Sequence, residues 1–187
     1  MRIFIALDIP SEIRTRISEY MDRLQQYAEG ARWARREGLH VTLKFIGEVK
    51  EEKVPEIARV LATVVTGPFT VNFSGAGFFP TAKSPRVFWV GVDGDEALPR
   101  LAASIEEATR SLGFARGEKP FNPHLTLARA GSGSGAGHVL RPLQRLLEAE
   151  AAPQFGTMTA REFWLYRSQL ARGGSKYTKL QKFEIGK

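Results

Sequence analysis

Leu39-His40-Val41-Thr42-Leu43 and Pro123-His124-Leu125-Thr126-Leu127 carry the same His-x-Thr-x tetrad, and their histidines stand 84 residues apart. A second pair of segments repeats at the same offset. Arg2-Ile3-Phe4-Ile5-Ala6 and Arg86-Val87-Phe88-Trp89-Val90 each place a basic residue before an apolar strand pattern. Two unrelated segment types that share one offset point to a duplicated unit. The 187 residues then read as one bilobed domain, residues 1–187, with approximate halves 1–84 and 85–187.

The flanking periodicity predicts the same element order in both halves. In the first, residues 3–8 read as a strand, and Pro10-Ser11-Glu12 opens a helix to about Ala28, with Ile13, Ile17, Met21 and Leu24 on one stripe. A strand over 39–46, a helix over 51–65 and a strand over 69–74 follow. The second half reads as strand 86–92, helix 96–112, strand 124–128, helix 138–149 and strand 155–167, with a last strand over 177–185. The expected fold class is α+β, two pseudo-symmetric β-α-β-α-β units with antiparallel-rich sheets and helices outside. Gly131-Ser132-Gly133-Ser134-Gly135-Ala136-Gly137 reads as a flexible connector; no Gly-Lys-Ser/Thr follows it, so it is not a Walker loop.

Residues alternate faces along a strand, so His40 and Thr42 share one face while Val41 and Leu43 anchor the other. The same holds for His124 and Thr126 against Leu125 and Leu127. If the halves pack about a pseudo-two-fold axis, both His–Thr pairs face a single cleft. Cleaving a phosphodiester without metal needs a base for the nucleophile and an acid for the leaving oxygen. Imidazole serves both roles near neutral pH, and threonine hydroxyls donate to the non-bridging oxygens. A lone strand histidine is usually structural; two matched tetrads at a repeat offset argue otherwise. A metal centre needs three or four ligands, but the third histidine, His138, follows the glycine loop and there is no cysteine. No metal and no cofactor are therefore expected, and His138 is expected to be exposed.

Composition frames this site. With 43% hydrophobic and 25% charged residues, the chain has a globular profile. No apolar run is long enough to span a membrane, and Met1 to Pro10 reads as a first strand instead of a signal peptide. The lack of cysteine fits a cytoplasmic protein. A formal net charge of +7 suits a polyanionic partner such as nucleic acid, although it also serves solubility.

At these residues the sequence resembles the two-histidine phosphoesterase superfamily, and more closely the RNA 2′,3′-cyclic phosphodiesterases once called 2′-5′ RNA ligases. The likeness runs through Arg2-Ile3-Phe4-Ile5-Ala6-Leu7-Asp8, Leu39 to Glu48, Pro85-Arg86-Val87-Phe88-Trp89-Val90-Gly91, Pro123 to Arg129, Leu165-Tyr166-Arg167-Ser168 and Gly174-Ser175-Lys176-Tyr177. It implies tetrads facing across a central groove and hydrolysis of an RNA 2′,3′-cyclic phosphate to a 2′-phosphomonoester without metal. It implies His40 as proton donor, His124 as proton acceptor, and Thr42 and Thr126 as phosphate ligands. Partners expected on this footing are RNA ends or small cyclic nucleotides, with no membrane and a monomeric chain. Reversible 2′-5′ ligation, turnover of other small nucleotides, and a non-catalytic RNA-binding module are the competing functions.

Contacts beyond the tetrads stay open at this level. Counting by two from His124 turns Arg129 nominally away from the cleft, so a phosphate contact and a surface ion pair are both consistent with it. Trp33, within Arg32-Trp33-Ala34-Arg35-Arg36, suits either base stacking or the core. Phe45 and Phe121 flank the tetrads and read as core aromatics, while Tyr166, Arg167 and Ser168 are groove candidates by resemblance.

Overall fold

A computed structural model of the chain describes residues 1–117, 119–131, 136–172 and 174–186. The elements in chain order are β1 (Arg2–Asp8), α1 (Ser11–Leu24), β2 (Arg32–Trp33), β3 (His40–Glu48), α2 (Val54–Leu61), β4 (Phe69–Thr81), β5 (Ser84–Asp93), α3 (Ala97–Arg110), β6 (His124–Arg129), α4 (Arg141–Glu148), β7 (Gln154–Ala160), β8 (Glu162–Ala171) and β9 (Gly174–Glu184). The expected α+β class holds. The helices are shorter than their periodic segments; 3-10 segments at Gln25–Tyr27, Glu51–Lys53 and Ala136–Leu140 adjoin three of them. The central residues of the predicted glycine connector, 132–135, lie outside the described residues.

Two antiparallel sheets form, with strand orders β3-β1-β8-β9 and β2-β6-β5-β4-β7. The expected boundary at residue 84 does not divide the sheets. β4 precedes it yet pairs with β5 and β7, and β8 and β9 follow it yet complete the sheet of β1. The segment 155–167, expected as one strand, is two strands in different sheets. β7 ends at Ala160, paired with Phe69, and β8 begins beside β1 after Arg161. Only Arg161 separates the two strands, with no glycine or proline at the break, so a strand reading runs through it.

One face of each sheet meets the core. Ile3, Ile5 and Leu7 of β1, Val41 and Leu43 of β3 and Leu165 of β8 join Phe88, Val90, Leu125 and Leu127 of the second sheet in one buried cluster. The helices stitch the sheets together. α1 buries Ile13, Ile17, Tyr20, Met21 and Leu24 at helical spacing. It reaches the second sheet, where Arg16 Nη1 donates to the Phe155 carbonyl at 3.0 Å and Tyr20 packs edge-on to Phe155. α3 returns the contact by packing against β3, where Lys44 ion-pairs with Glu106. The opposite face of the first sheet carries a small separate cluster of Phe4, Ala6 and Tyr166, flanked by Trp164 and Tyr177. That face is the groove.

Candidate active site

β3 and β6 belong to different sheets but run within 8 Å of each other, Cα to Cα. Val41, Leu43, Leu125 and Leu127 are buried, so His40, Thr42, His124 and Thr126 take the opposite, half-buried face, as alternation requires. The two imidazoles are close enough that a charge on His124 disfavours protonation of His40.

Each histidine is fixed in the same way. His40 Nδ1–H donates to the carbonyl of Gly38 at 2.6 Å, and His124 Nδ1–H donates to the carbonyl of Asn122 at 2.7 Å. A carbonyl only accepts, so Nδ1 carries the proton in both rings and Nε2 of each neutral ring is left with its lone pair. At His40 that lone pair accepts from Thr42 Oγ1 at 3.1 Å. A backbone acceptor two residues upstream thus sets tautomer and ring plane together, and presents both Nε2 atoms as proton carriers.

A β-bulge follows each tetrad. On β3, Thr42 pairs with Ala6 and Lys44 with Ile5, so Leu43 is the extra residue; on β6, Thr126 pairs with Trp89 and Ala128 with Phe88, so Leu127 is. A bulge reverses the alternation beyond it. Lys44 and Ala128 are therefore buried, and Phe45 and Arg129 turn to the groove face. This corrects two expectations. Arg129 does not point away from the cleft, and its charge bears on His124. Phe45 is not a core aromatic, being 62% exposed beside Phe4.

Aromatic rings wall the site. His40 lies 4.7 Å from Phe4 and 5.0 Å, edge-on, from Tyr177, centroid to centroid, and Tyr166 stacks on Phe4 at 5.1 Å. On the other side His124 meets Phe79 edge-on at 4.9 Å, and Phe79 packs against Trp89. Trp89 lies flat across β4 because position 77 is glycine: a Cβ there would sit 2.5 Å from its ring. Asp8, the cross-strand partner of His40, accepts from Arg14 Nη2 at 2.7 Å and ion-pairs with Lys179.

This wall sets the charge states. Burial pushes the His40 imidazole down to about 4; the Gly38 carbonyl and Asp8 oppose that shift, and Arg14 and His124 add to it. Burial also lowers His124, the Asn122 carbonyl opposes it, and Arg129 lowers it further. Tyr166 is pushed well above the ordinary phenol range, mainly by burial. Both shifts favour the neutral form of the two groove imidazoles.

The remaining candidates separate cleanly. Trp33 belongs to the core: its indole N–H donates to the Ala28 carbonyl at 3.0 Å and its ring meets Phe88 edge-on. Phe121 packs against the core and His138 is exposed. Of the β8 trio, Tyr166 lines the groove floor. Among the described residues, no three His, Cys, Asp or Glu side chains converge as a metal site, and no helix is long and apolar enough to cross a membrane. Sequence reasoning missed Phe4 and Asp8 because β1 is apolar on both faces, which hides its alternation; Trp89 was read only as part of a strand, and Phe79 lies beyond the strand expected over 69–74, which runs on to Thr81.

Comparison with known proteins follows this geometry. The model of the LigT-like phosphoesterase family matches twice in succession, over residues 7–89 and 90–177, with one tetrad in each match. The chain is 36% identical over 184 residues to an RNA 2′,3′-cyclic phosphodiesterase of Archaeoglobus fulgidus, covering 98% of this chain and all of that one. It is 40% identical over 131 residues to the protein of that name from Thermotoga maritima, covering 69% and 70% of the two chains. Among solved structures, E. coli LigT complexed with 3′-AMP superposes with a TM-score of 0.80 at 29% identity, over 100% of this chain and 98% of that one.

Proposed function

The chain belongs to the LigT-like phosphoesterase family, and from that premise we propose that it hydrolyses RNA 2′,3′-cyclic phosphate ends to 2′-phosphomonoesters, without metal, by acid–base catalysis between His40 and His124. The observation that carries this reading is the matched pair of imidazoles, each pinned at Nδ1 and each offering Nε2 to one groove.

Water attacks phosphorus as His124 Nε2 takes its proton. The P–O3′ bond breaks and the oxygen takes a proton from His40 Nε2. His124 ends protonated and His40 neutral, and exchange with solvent resets the pair. The surroundings favour this division of labour. The carboxylate of Asp8 supports the charged form of His40, whereas Arg129 supports the neutral form of His124. The anionic phosphate itself recharges His40 on binding, since it enters a site where burial has removed competing water. Thr42, Thr126 and Arg129 hold the non-bridging oxygens, and Arg129 is suited to a bidentate contact.

With a 5′-hydroxyl in place of water, the same steps form a 2′-5′ bond: His124 takes the hydroxyl proton and His40 protonates the departing O3′. Both histidines come from one chain, so a monomer suffices. RNA ends and small cyclic nucleotides share the reacting group, which suits a cytoplasmic role in RNA processing.

The test is product analysis in EDTA with an RNA ending in a 2′,3′-cyclic phosphate. A 2′-phosphate product is expected, and His40→Ala and His124→Ala should each lose about 10²–10⁴-fold in kcat. A metal requirement, or wild-type turnover in either variant, overturns the two-histidine mechanism. Binding without conversion favours a module that only holds RNA.

A further inference from the structure

We propose that Arg32, at the edge of the second sheet, binds the phosphate on the 5′ side of the terminal nucleotide, so that the site is built for an RNA strand and not for a lone cyclic nucleotide. The inference rests on the phosphodiesterase reading above and adds a subsite to it.

Arg32 and Arg129 are direct cross-strand partners on β2 and β6. Their neighbours Trp33 and Ala128, also partners, face the core. Alternation therefore puts both guanidinium groups on the groove face, and both are exposed. Cα atoms of such partners lie about 4.5–5.5 Å apart, so two long cationic side chains start from one point.

Like charges directly opposite on neighbouring strands are destabilising. Several surface cations have a carboxylate beside them: Arg23 has Glu150, Arg36 has Asp22, Lys53 has Glu56 and Arg110 has Glu107. Among the described residues neither Arg32 nor Arg129 has an acidic partner. Arg129 is accounted for by the reacting phosphate. Arg32 stands one strand further from the histidines, and a second anion one backbone step away relieves the repulsion that it creates. Consecutive phosphates of a single RNA strand have that arrangement.

The experiment compares a dinucleotide ending in a 2′,3′-cyclic phosphate with the corresponding nucleoside 2′,3′-cyclic phosphate, in wild type, Arg32→Ala and Arg32→Gln. The ratio of kcat/KM, dinucleotide over mononucleotide, should fall about tenfold in both variants, the size of one charge-assisted contact, and should do so through KM. The salt dependence of dinucleotide KM should lose a log–log slope of about 0.7, one single-strand phosphate contact. Circular dichroism melting verifies that both variants fold. An unchanged ratio, or an equal loss on both substrates, overturns the subsite and leaves the phosphodiesterase reading intact. A wild-type protein that turns over neither substrate overturns that reading, and the subsite with it.

Discussion

Phe45 and Arg129 are structural equivalents: each is the fifth residue after a groove histidine, and each is turned into the groove by a bulge at the preceding leucine. The two tetrad strands thus each supply one groove histidine and then differ. One half ends its tetrad strand in an exposed apolar ring, the other in a cation. A groove with an apolar face on one side and a guanidinium on the other fits a nucleotide, which has a base at one end and a phosphate at the other.

The apolar half should bind a base. Stacking of one base on an aromatic ring is worth about 1–3 kcal/mol by alanine substitution, so Phe45→Ala should raise KM about tenfold or more with little change in kcat. Phe45→Trp should restore it. Because the ring is largely exposed, urea unfolding of Phe45→Ala should stay near wild type. A large fall in kcat at constant KM would refute the stacking role.

The cationic half should act on both phosphate and histidine. Arg129→Gln removes a charge that holds His124 down, so the His124 imidazole titrated by NMR should move up toward its ordinary value. Loss of one donor to the transition-state oxygens should cost about 10²–10³-fold in kcat. An unmoved His124 titration would mean that Arg129 does not face it in solution.

Burial predicts an acid-shifted pH profile. Both groove histidines lie below their ordinary value, His40 at about 4. The activity in kcat/KM reports the free protein, so its bell should peak on the acid side of pH 6.5. The profile of kcat should sit higher, because the bound phosphate anion favours the imidazolium. The same shift makes the fold less stable in acid: the unfolded chain protonates His40 near 6.5 while the folded one resists to about 4. Stability should therefore fall as pH drops through that window, and less so in His40→Gln. A kcat/KM optimum in the alkaline range would contradict the buried state of the pair.

Lys44 is the residue that the first bulge turns inward. It is 5% exposed, pairs with Glu106 of α3 and donates to the Ala115 carbonyl at 3.0 Å. Breaking a buried pair leaves one charge uncompensated, so Glu106→Gln should cost about 3 kcal/mol in urea denaturation at pH 7. The double variant Lys44→Met/Glu106→Leu should recover most of that. Equal stability of Glu106→Gln and wild type would show that the pair is not buried.

The tetrads were legible because four residues are too few for alternation to fail, so His40 and Thr42 had to share a face. Arg129 and Phe45 were not legible for the reason just given: a bulge adds one residue to one strand, leaves no mark in composition, and inverts every orientation beyond it. β2, only two residues long, is too short for any periodic signal, yet it positions Arg32. The four helices followed from periodicity. The exchange of β4, β8 and β9 between the sheets depends on long-range pairing, which local patterns do not encode.

The pairing of Arg2 with Ser168 has a consequence for how the molecule is made. β1 is an inner strand, and its second neighbour, β8, is synthesised long after it. Until β8 and β9 leave the ribosome, β1 presents an open, apolar edge, and His40 lacks the Tyr166 and Tyr177 walls that desolvate it. Contacts this distant in sequence slow folding and lengthen the exposure of such edges. The nascent chain therefore carries both groove histidines well before β8 and β9 complete the walls around them.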